Sequence, residues 1–397
     1  MLKIISFFIL VFHLNFGIAN EIKSNNKEVA TRVSFVKEKG KYFATNVTIN
    51  GVTIPGKFLI DTGSETIISD KAAILAGLEF KKNVTISDGY NFKAVLKANA
   101  ELNIDGFSFK RTKISVLYEV DFGLGVFCDV AGIIGNDIMK QCVWSFTKNE
   151  ILICSDFEIL KNISSFNKEK LILQGKNRTV PYVVVSFGTP RATALLDTGD
   201  DCFVQINKVV LDYIKPQEII QGKGRAVSML LSQQNATSKS SYSIIRTDKF
   251  TLGDKTVSNP VAYIEADEEG WAIGTGLFDY FDIIIDFPKK NFFLKQTKTE
   301  YVSGKWNTFG LSAIIENGNV LVKFVWDDTP AYEADIESNN KIISIDDLYL
   351  EDIDKQSSCQ IYKKLDDKLS KDSIFLTIEK KDGKRYSYKL QKTNMFK

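Results

Sequence analysis

Apolar and polar residues alternate over several segments in the middle of the chain, and a period of two predicts β-strands. The first such segment covers residues 42–48 and reaches Asn50-Gly51, a dipeptide typical of a tight hairpin turn. The returning strand ends in the apolar run 58–60 and is followed directly by Asp61-Thr62-Gly63. Residues 70–78 then change to a helical period. This pattern predicts a hairpin, a polar loop and a short helix.

The same order occurs a second time. Residues 182–187 alternate, a turn follows, and the next strand ends in the apolar run 194–196 just before Asp197-Thr198-Gly199. Residues 207–214 again have a helical period. Both copies continue with an apolar pair or its near equivalent and a glycine, and then with a closing hairpin: residues 133–135 and 144–154 in the first, 272–274 and 283–294 in the second. The sequence therefore predicts two similar β lobes.

The first residues have the pattern of a signal peptide. Lys3 precedes the apolar run 4–12, and residues 17–19 offer small side chains for cleavage. This run is short for a membrane span, and no later apolar stretch approaches its length. We therefore expect a secreted or periplasmic protein with no stable membrane span after cleavage.

Composition excludes several kinds of chemistry. The only histidine is His13, so the mature chain would lack the residue that Ser-His-Asp, Cys-His and His-based metal sites need. With 51 basic and 49 acidic residues and no basic stripe, nucleic acid is not an expected partner. The acidic cluster at residues 197–201 lacks the spacing of a calcium loop. We expect neither a metal nor a cofactor.

The chain contains five cysteines, an odd number for a secreted protein. Cys142 and Cys154 flank the predicted hairpin 144–154, and a cross-strand disulfide between them is one option. Pairing does not follow from sequence, so the connectivity stays open.

The two Asp-Thr-Gly elements resemble the aspartic peptidases, over about residues 30–298. The resemblance implies a mainly β fold in which two retropepsin-like lobes form a pepsin-like bilobal unit. Each lobe of that family supplies one catalytic aspartate, which corresponds to Asp61 and Asp197 here. Two carboxylates held side by side share a proton, so one activates water while the other donates to the scissile carbonyl. This implies an endopeptidase whose partners are polypeptide substrates.

The same resemblance gives roles to the neighbouring residues. Gly63 and Gly199 would permit the tight loop behind each carboxylate, and Thr62 and Thr198 would cross-link the two loops. Ser64 would hydrogen-bond the outer carboxylate oxygen. Flaps over the cleft are expected from a hairpin of each lobe, and the candidates are Gly89 and Tyr90 in the first half and residues 222–224 in the second.

Asp200 departs from the family, which usually has Ser, Thr or Ala at this position. An ionised Asp200 beside the pair would disfavour deprotonation of its neighbours. The working pH is then shifted, or Asp200 is protonated or points away, or this lobe has lost activity. Two other interpretations remain: an inactive protein that only binds peptides, and a duplicated β domain without chemistry.

Near residue 301 the repeat stops and another pattern begins. Strand-like segments 312–316 and 320–325 meet at Asn317-Gly318, and a polar helix is expected over residues 357–369. This order resembles a PDZ domain of bacterial envelope proteases, which implies that free C-termini of peptides bind as an added strand. A brace for the second lobe is the alternative. The peptide-binding candidates are Phe309, Gly310, Leu311, Tyr362 and Leu365.

These patterns divide the chain into four segments. We expect a signal peptide over residues 1–19, an N-terminal lobe over 28–160, a C-terminal lobe over 161–298 and a small α+β PDZ-like domain over 299–397.

Overall fold

The structure, a computed structural model, describes residues 30–79, 95–117, 126–160, 163–175, 178–214, 218–225, 239–265, 270–301, 306–354 and 357–396. Strands dominate these residues, which confirms the predicted mainly β fold. The predicted signal peptide and the flap candidates Gly89 and Tyr90 lie outside the described residues. None of the described helices is long and apolar enough to cross a membrane.

The described part of the first lobe contains fourteen short strands and two short helices. Its strands are β1 Ala30–Arg32, β2 Phe35–Glu38, β3 Lys41–Ala44, β4 Val47–Ile49, β5 Val52–Thr53, β6 Lys57–Asp61, β7 Ile67–Ser69, β8 Val95–Ala100, β9 Leu102–Ile104, β10 Phe107–Ser108, β11 Thr112–Leu117, β12 Val130–Gly135, β13 Val143–Phe146 and β14 Ile151–Cys154. The helices are α1 Asp70–Leu75, which Ser69 caps through its side chain, and α2 Asn136–Met139. The predicted turn at Asn50-Gly51 joins β4 to β5, and both residues have positive φ.

The second lobe repeats this plan with 3-10 helices in place of α1 and α2. Its strands are β15 Asn167–Lys170, β16 Ile172–Gln174, β17 Val180–Phe187, β18 Arg191–Leu196, β19 Gln205–Asn207, β20 Glu218–Arg225, β21 Lys239–Arg246, β22 Lys249–Leu252, β23 Lys255–Ser258, β24 Val261–Glu265, β25 Trp271–Ile273, β26 Phe281–Asp286 and β27 Asn291–Gln296. The 3-10 helices of this half and of the connection before it are Phe157–Ile159, Ile163–Ser165, Lys208–Asp212 and Thr275–Asp279.

The last segment forms a small unit with its own core, which we call the C-terminal module (residues 306–396). Its strands are β28 Asn307–Thr308, β29 Leu311–Glu316, β30 Asn319–Trp326, β31 Lys341–Ile345, β32 Leu348–Tyr349, β33 Ser373–Glu379, β34 Arg385–Gln391 and β35 Thr393–Asn394, and its helices are α3 Pro330–Glu333 and α4 Ser358–Ser370. The hairpin at Asn317-Gly318 and the helix expected near residues 357–369 are both present.

One sheet joins the two lobes. Its strand order is β1-β14-β13-β26-β27-β15, so the closing hairpins of the two copies lie side by side. The central contact is the antiparallel pair of β13 and β26, in which Trp144 lies opposite Ile285. Both side chains are fully buried in a core shared by the lobes. Burial of this continuous apolar surface is the main force that holds the lobes together.

Parallel strand pairs bring the two halves of each repeat together. In the first lobe β6 pairs with β12, so Asp61 lies beside Gly135, and in the second β18 pairs with β25. A Cβ atom at Gly135 would lie 2.3 Å from the Glu65 carbonyl carbon, and one at Gly274 would lie 2.6 Å from the Asp200 carbonyl oxygen. Only glycine leaves room here for the loop that follows each Asp-Thr-Gly.

The C-terminal module is attached to both lobes. Strand β30 pairs with β20 of the second lobe, with Lys223 opposite Val325. A disulfide joins Cys128 of the first lobe to Cys359 in α4. At the chain end, Phe396 packs with Ile244 of the second lobe. Links of three kinds therefore connect this module to the rest of the chain.

The considered disulfide between Cys142 and Cys154 is wrong, because both thiols are free and buried. The register of the hairpin explains this: Cys154 lies opposite Val143, and Cys142 falls one residue before β13.

Candidate active site

Asp61 and Asp197 meet between the two lobes. Asp61 is the last residue of β6 and is 1% exposed, and Asp197 follows β18 directly and is partly exposed. The two carboxyl groups are hydrogen-bonded to each other. The structure therefore brings together the two aspartates that the sequence analysis selected.

The threonines after the two aspartates cross-link the loops. The Thr62 N–H donates to the Thr198 hydroxyl over 3.0 Å, and the Thr198 N–H donates to the Thr62 hydroxyl over 3.0 Å. Each hydroxyl then donates to a carbonyl of the opposite strand, that of Leu196 or that of Ile60. Both threonines are buried, so these bonds replace water as partners for the polar groups.

The two glycines are required by the carboxyl of the opposite lobe. A Cβ atom at Gly63 would lie 2.8 Å from Cγ of Asp197, and one at Gly199 would lie 2.3 Å from Oδ2 of Asp61. Each glycine N–H also donates to its own aspartate over 2.8 Å. Glycine therefore serves close approach here, in addition to the tight loop that we expected.

Burial and nearby carboxylate charge raise the pKa values of the pair. The pKa of Asp61 lies well above its ordinary value because of burial first, and then because of the charge of Asp197 and the hydrogen bond to it. The pKa of Asp197 is raised by desolvation first and by the charge of Asp200 second. Two coupled carboxyls of this kind titrate as one unit that keeps a shared proton.

Ser64 and Asp200 occupy equivalent positions directly after the two Asp-Thr-Gly elements. The Ser64 hydroxyl donates to the Glu65 carbonyl over 2.9 Å, so its expected bond to the carboxylate is wrong for this structure, and only the Ser64 N–H reaches Asp61. Asp200 accepts from the Cys202 N–H over 3.0 Å and acts on Asp197 through its charge. Asp200 therefore lies close enough to influence the pair.

Sequence reasoning missed Lys41. This lysine is 5% exposed, belongs to β3 of the first lobe, and donates from Nζ to the Gly199 carbonyl of the second. Its charge lowers the pKa of both Asp61 and Asp197. The only signal in the sequence is a lysine directly before an apolar strand, which is common at protein surfaces.

Asp137 is a second residue that the sequence analysis missed, and it supports the loop that follows Asp61. Asp137 accepts hydrogen bonds from the Thr66 N–H and hydroxyl, over 2.8 Å and 2.6 Å. Burial raises its pKa, and the bonds from Thr66 oppose this shift. Asp137 follows shortly after the repeated element that ends at Gly135, and this position could have indicated that it supports the loop.

The second-half flap candidate has another partner. Residues 222–224 belong to β20, which pairs with β21 and, on its other side, with β30 of the C-terminal module. This hairpin is therefore part of a sheet that continues into the module.

The five peptide-binding candidates of the C-terminal module lie close together, but two of their polar groups are engaged. Phe309, Tyr362 and Leu365 are buried in the module core, and Leu311 packs against it. The Gly310 N–H donates to the Thr308 hydroxyl over 3.0 Å. The Ile315 N–H on β29 donates to the Tyr362 hydroxyl over 2.7 Å.

Comparison with known proteins finds a family match within the first lobe. Residues 45–138 match the family described as Aspartyl protease, a stretch that includes Asp61. The aspartic proteinase from Irpex lacteus is similar in structure, with a TM-score of 0.43, 15% sequence identity, and coverage of 68% of this chain and 98% of that chain. No curated protein sequence matches the chain. The assignment of the second lobe therefore depends on its geometry.

Proposed function

We propose that this protein is an aspartic endopeptidase that hydrolyses polypeptide chains. The observation that carries the proposal is the hydrogen-bonded carboxyl pair of Asp61 and Asp197, held by two symmetric loops at the junction of the lobes. The pair needs no histidine, metal or covalent intermediate, because a shared proton supplies both the acid and the base.

In the proposed reaction a water molecule lies between the two carboxyls and the scissile carbonyl. The ionised carboxylate takes a proton from this water, and the oxygen of the water attacks the carbonyl carbon. The protonated carboxyl donates its proton to the carbonyl oxygen. The pair shares one proton, so one carboxyl starts protonated and the other starts ionised. The carboxyl that received the proton of the water then donates it to the amide nitrogen. The C–N bond breaks, and a hydroxyl of the tetrahedral intermediate returns its proton to the other carboxylate.

A cysteine mechanism has little support in the same site. Cys202 is buried, and burial together with the charges of Asp200 and Asp201 raises its pKa well above the ordinary value. A thiol in this setting stays protonated and is a poor nucleophile.

The direct test is digestion of a denatured protein across pH 3 to 8, with and without a statine-type inhibitor. We expect inhibitor-sensitive cleavage by the wild type and none by Asp61→Asn or Asp197→Asn. Asp286→Asn is the matched control, since this buried aspartate accepts from the Lys289 N–H and does not contact the pair. Wild-type turnover in Asp61→Asn would refute the mechanism. A folded wild type without any cleavage would favour the inactive peptide-binding protein, for which Asp200 is the distinguishing residue.

We also propose that the protein acts outside the cytoplasm. The pattern of residues 1–19 supports this location, and so does a disulfide between Cys128 and Cys359, since disulfides persist in oxidising compartments. N-terminal sequencing of the exported protein tests it, with a mature start after residue 19 as the expected result.

For the C-terminal module we propose capture of free peptide C-termini. Among the described strands, β29 pairs only with β30, and Tyr362 of α4 contacts its other edge, where we propose that a peptide adds as a strand. Since Tyr362 already binds the Ile315 N–H, the edge near Ala313 is the part that remains for a peptide. The site would therefore hold only the last few residues of a chain.

Matched peptides with a free or amidated C-terminus test this second proposal. The full-length Asp61→Asn variant is the suitable protein, because it should bind peptides without cutting them. We expect weak binding that favours the free acid, since amidation removes a charge-assisted hydrogen bond. Equal affinity for both forms, or none for either, would leave the module as a brace for the second lobe.

A further inference from the structure

The buried side chain of Lys41 extends from the first lobe to the loop that follows Asp197 in the second lobe. Lys41 begins β3, and its Nζ donates to the carbonyl of Gly199, two residues after Asp197. A buried ammonium needs a compensating negative charge or several acceptors, because desolvation is costly. Asp61, Asp197 and Asp201 are the carboxyls on which Lys41 acts.

The turn before Lys41 is fixed against the same loop. Gly40 has φ +79°, and a Cβ atom there would lie 2.6 Å from Cβ of Asp201. The Gly40 carbonyl accepts a hydrogen bond of 2.7 Å from the Thr275 hydroxyl of the second lobe. Two independent contacts beside Lys41 therefore hold its backbone in place.

The internal repeat shows that this arrangement is one-sided. Phe43 lies opposite Leu59 in the first lobe, and Tyr182 lies opposite the equivalent Leu195 in the second. Val180 of the second lobe therefore stands where the first lobe has Lys41. Aligning the two Asp-Thr-Gly elements places Asp200 where the first lobe has Ser64. One loop thus carries an additional carboxylate, and the strand that faces this loop carries a cation that has no counterpart in the other lobe.

We propose that Lys41 is a positioning residue for the aspartate pair and that its ammonium offsets the negative charge which Asp200 adds to the second loop. This inference builds on the proposed peptidase function. The charged groups that bear on the pair are Lys41 from β3 and Asp200 from the second loop, while Asp201 and Asp200 bear on each other. Without Lys41, no cation of the described residues would act on Asp197 and Asp201 of this loop.

The expected effect is a shift of the pH–rate profile. Lys41→Met should move the acidic limb to higher pH by about 1 unit, because an opposite charge no longer favours the ionised pair. Asp200→Ser should move it to lower pH, and the double variant should return close to the wild type. Lys41→Arg keeps the charge and should keep the profile. Lys57→Met is the matched control: Lys57 is also buried in the first lobe but pairs with Glu38.

A second measurement separates this inference from the proposed activity. Carbon-13 NMR titration of the aspartate carboxyls, assigned with Asp61→Asn and Asp197→Asn, reports the pKa values of the pair without any turnover. Higher values in Lys41→Met support the inference even if the wild type proves inactive. If Lys41→Met does not fold, Lys41→Gln, which keeps a donor for the Gly199 carbonyl, is titrated instead. Unchanged carboxyl titrations in the folded variant would overturn the inference, whatever the activity of the wild type.

Discussion

Thr62 and Thr198 bind each other across the junction of the two lobes, each donating its backbone N–H to the hydroxyl of the other over 3.0 Å. Both residues are buried, and each hydroxyl donates a hydrogen bond to a backbone carbonyl of the opposing strand. Because every polar group in this set has a partner, the two loops are fixed relative to each other. Because each aspartate directly precedes one of these threonines, the bonds also fix the positions of Asp61 and Asp197 relative to each other.

Replacing one threonine should therefore damage both stability and turnover. Thr198→Val leaves the Thr62 N–H and the Ile60 carbonyl buried without partners, at a cost of about 1–3 kcal/mol for each group. We expect a lower free energy of unfolding in urea and a reduced kcat. Thr198→Ser keeps the hydroxyl and is the control. Wild-type values for Thr198→Val in both measurements would contradict the cross-link.

The raised pKa of Asp61 predicts a pH-dependent stability. Burial raises this pKa in the folded chain, so folding favours the protonated carboxyl. The resulting stabilisation is fully present below the ordinary carboxyl pKa of about 4 and is lost as the pH rises through the folded value. Asp61→Asn cannot ionise, so it should lose less stability over this range and exceed the wild type at neutral pH.

Urea unfolding of both proteins from pH 3 to 8 measures this difference. Asp254→Asn, a change at an exposed position, is the control and should follow the wild type. Parallel curves for the wild type and Asp61→Asn would show that burial of the carboxyl carries no such penalty.

Gly274 should tolerate no side chain. A Cβ atom there would lie 2.6 Å from the Asp200 carbonyl oxygen and 2.7 Å from that of Cys202, and backbone atoms cannot move aside cheaply. We expect Gly274→Ala to lower the free energy of unfolding by about 1–3 kcal/mol and to reduce turnover by displacing the second loop. Gly270→Ala meets no atom within 4 Å and should change stability by less than about 0.5 kcal/mol. Equal stability of the two variants would refute this packing.

The disulfide between Cys128 and Cys359 should be detectable by chemistry alone. The oxidised, denatured protein should show three reactive thiols, from Cys142, Cys154 and Cys202, and peptide mapping should recover the bridge. Cys359→Ser should lower the stability of the oxidised protein by about 2–5 kcal/mol, because the bridge limits the conformations of the unfolded chain. Five reactive thiols in the oxidised protein would contradict the pairing.

The sequence by itself determined the two lobes and the two aspartates. Strand periodicity, turn dipeptides and the order of motifs are local properties of the sequence. Each of these patterns occurs twice in this chain, which makes the prediction more specific. Asp61 and Asp197 were found because each closes an apolar strand in the same setting. The hairpin and helix of the C-terminal module were found for the same reason, since their residues are close in sequence.

Only the tertiary structure decided the contacts between distant segments. Cys128 pairs with Cys359 across most of the chain, whereas the hairpin spacing had offered Cys142 with Cys154 as one option. In the sequence Lys41 is only a charged residue at the start of a strand, and it reaches the loop of Asp197 only because the folded lobes bury it there. The burial of a side chain and the charges beside it depend on which strands pack together, and the order of apolar and polar residues along the chain does not encode that packing.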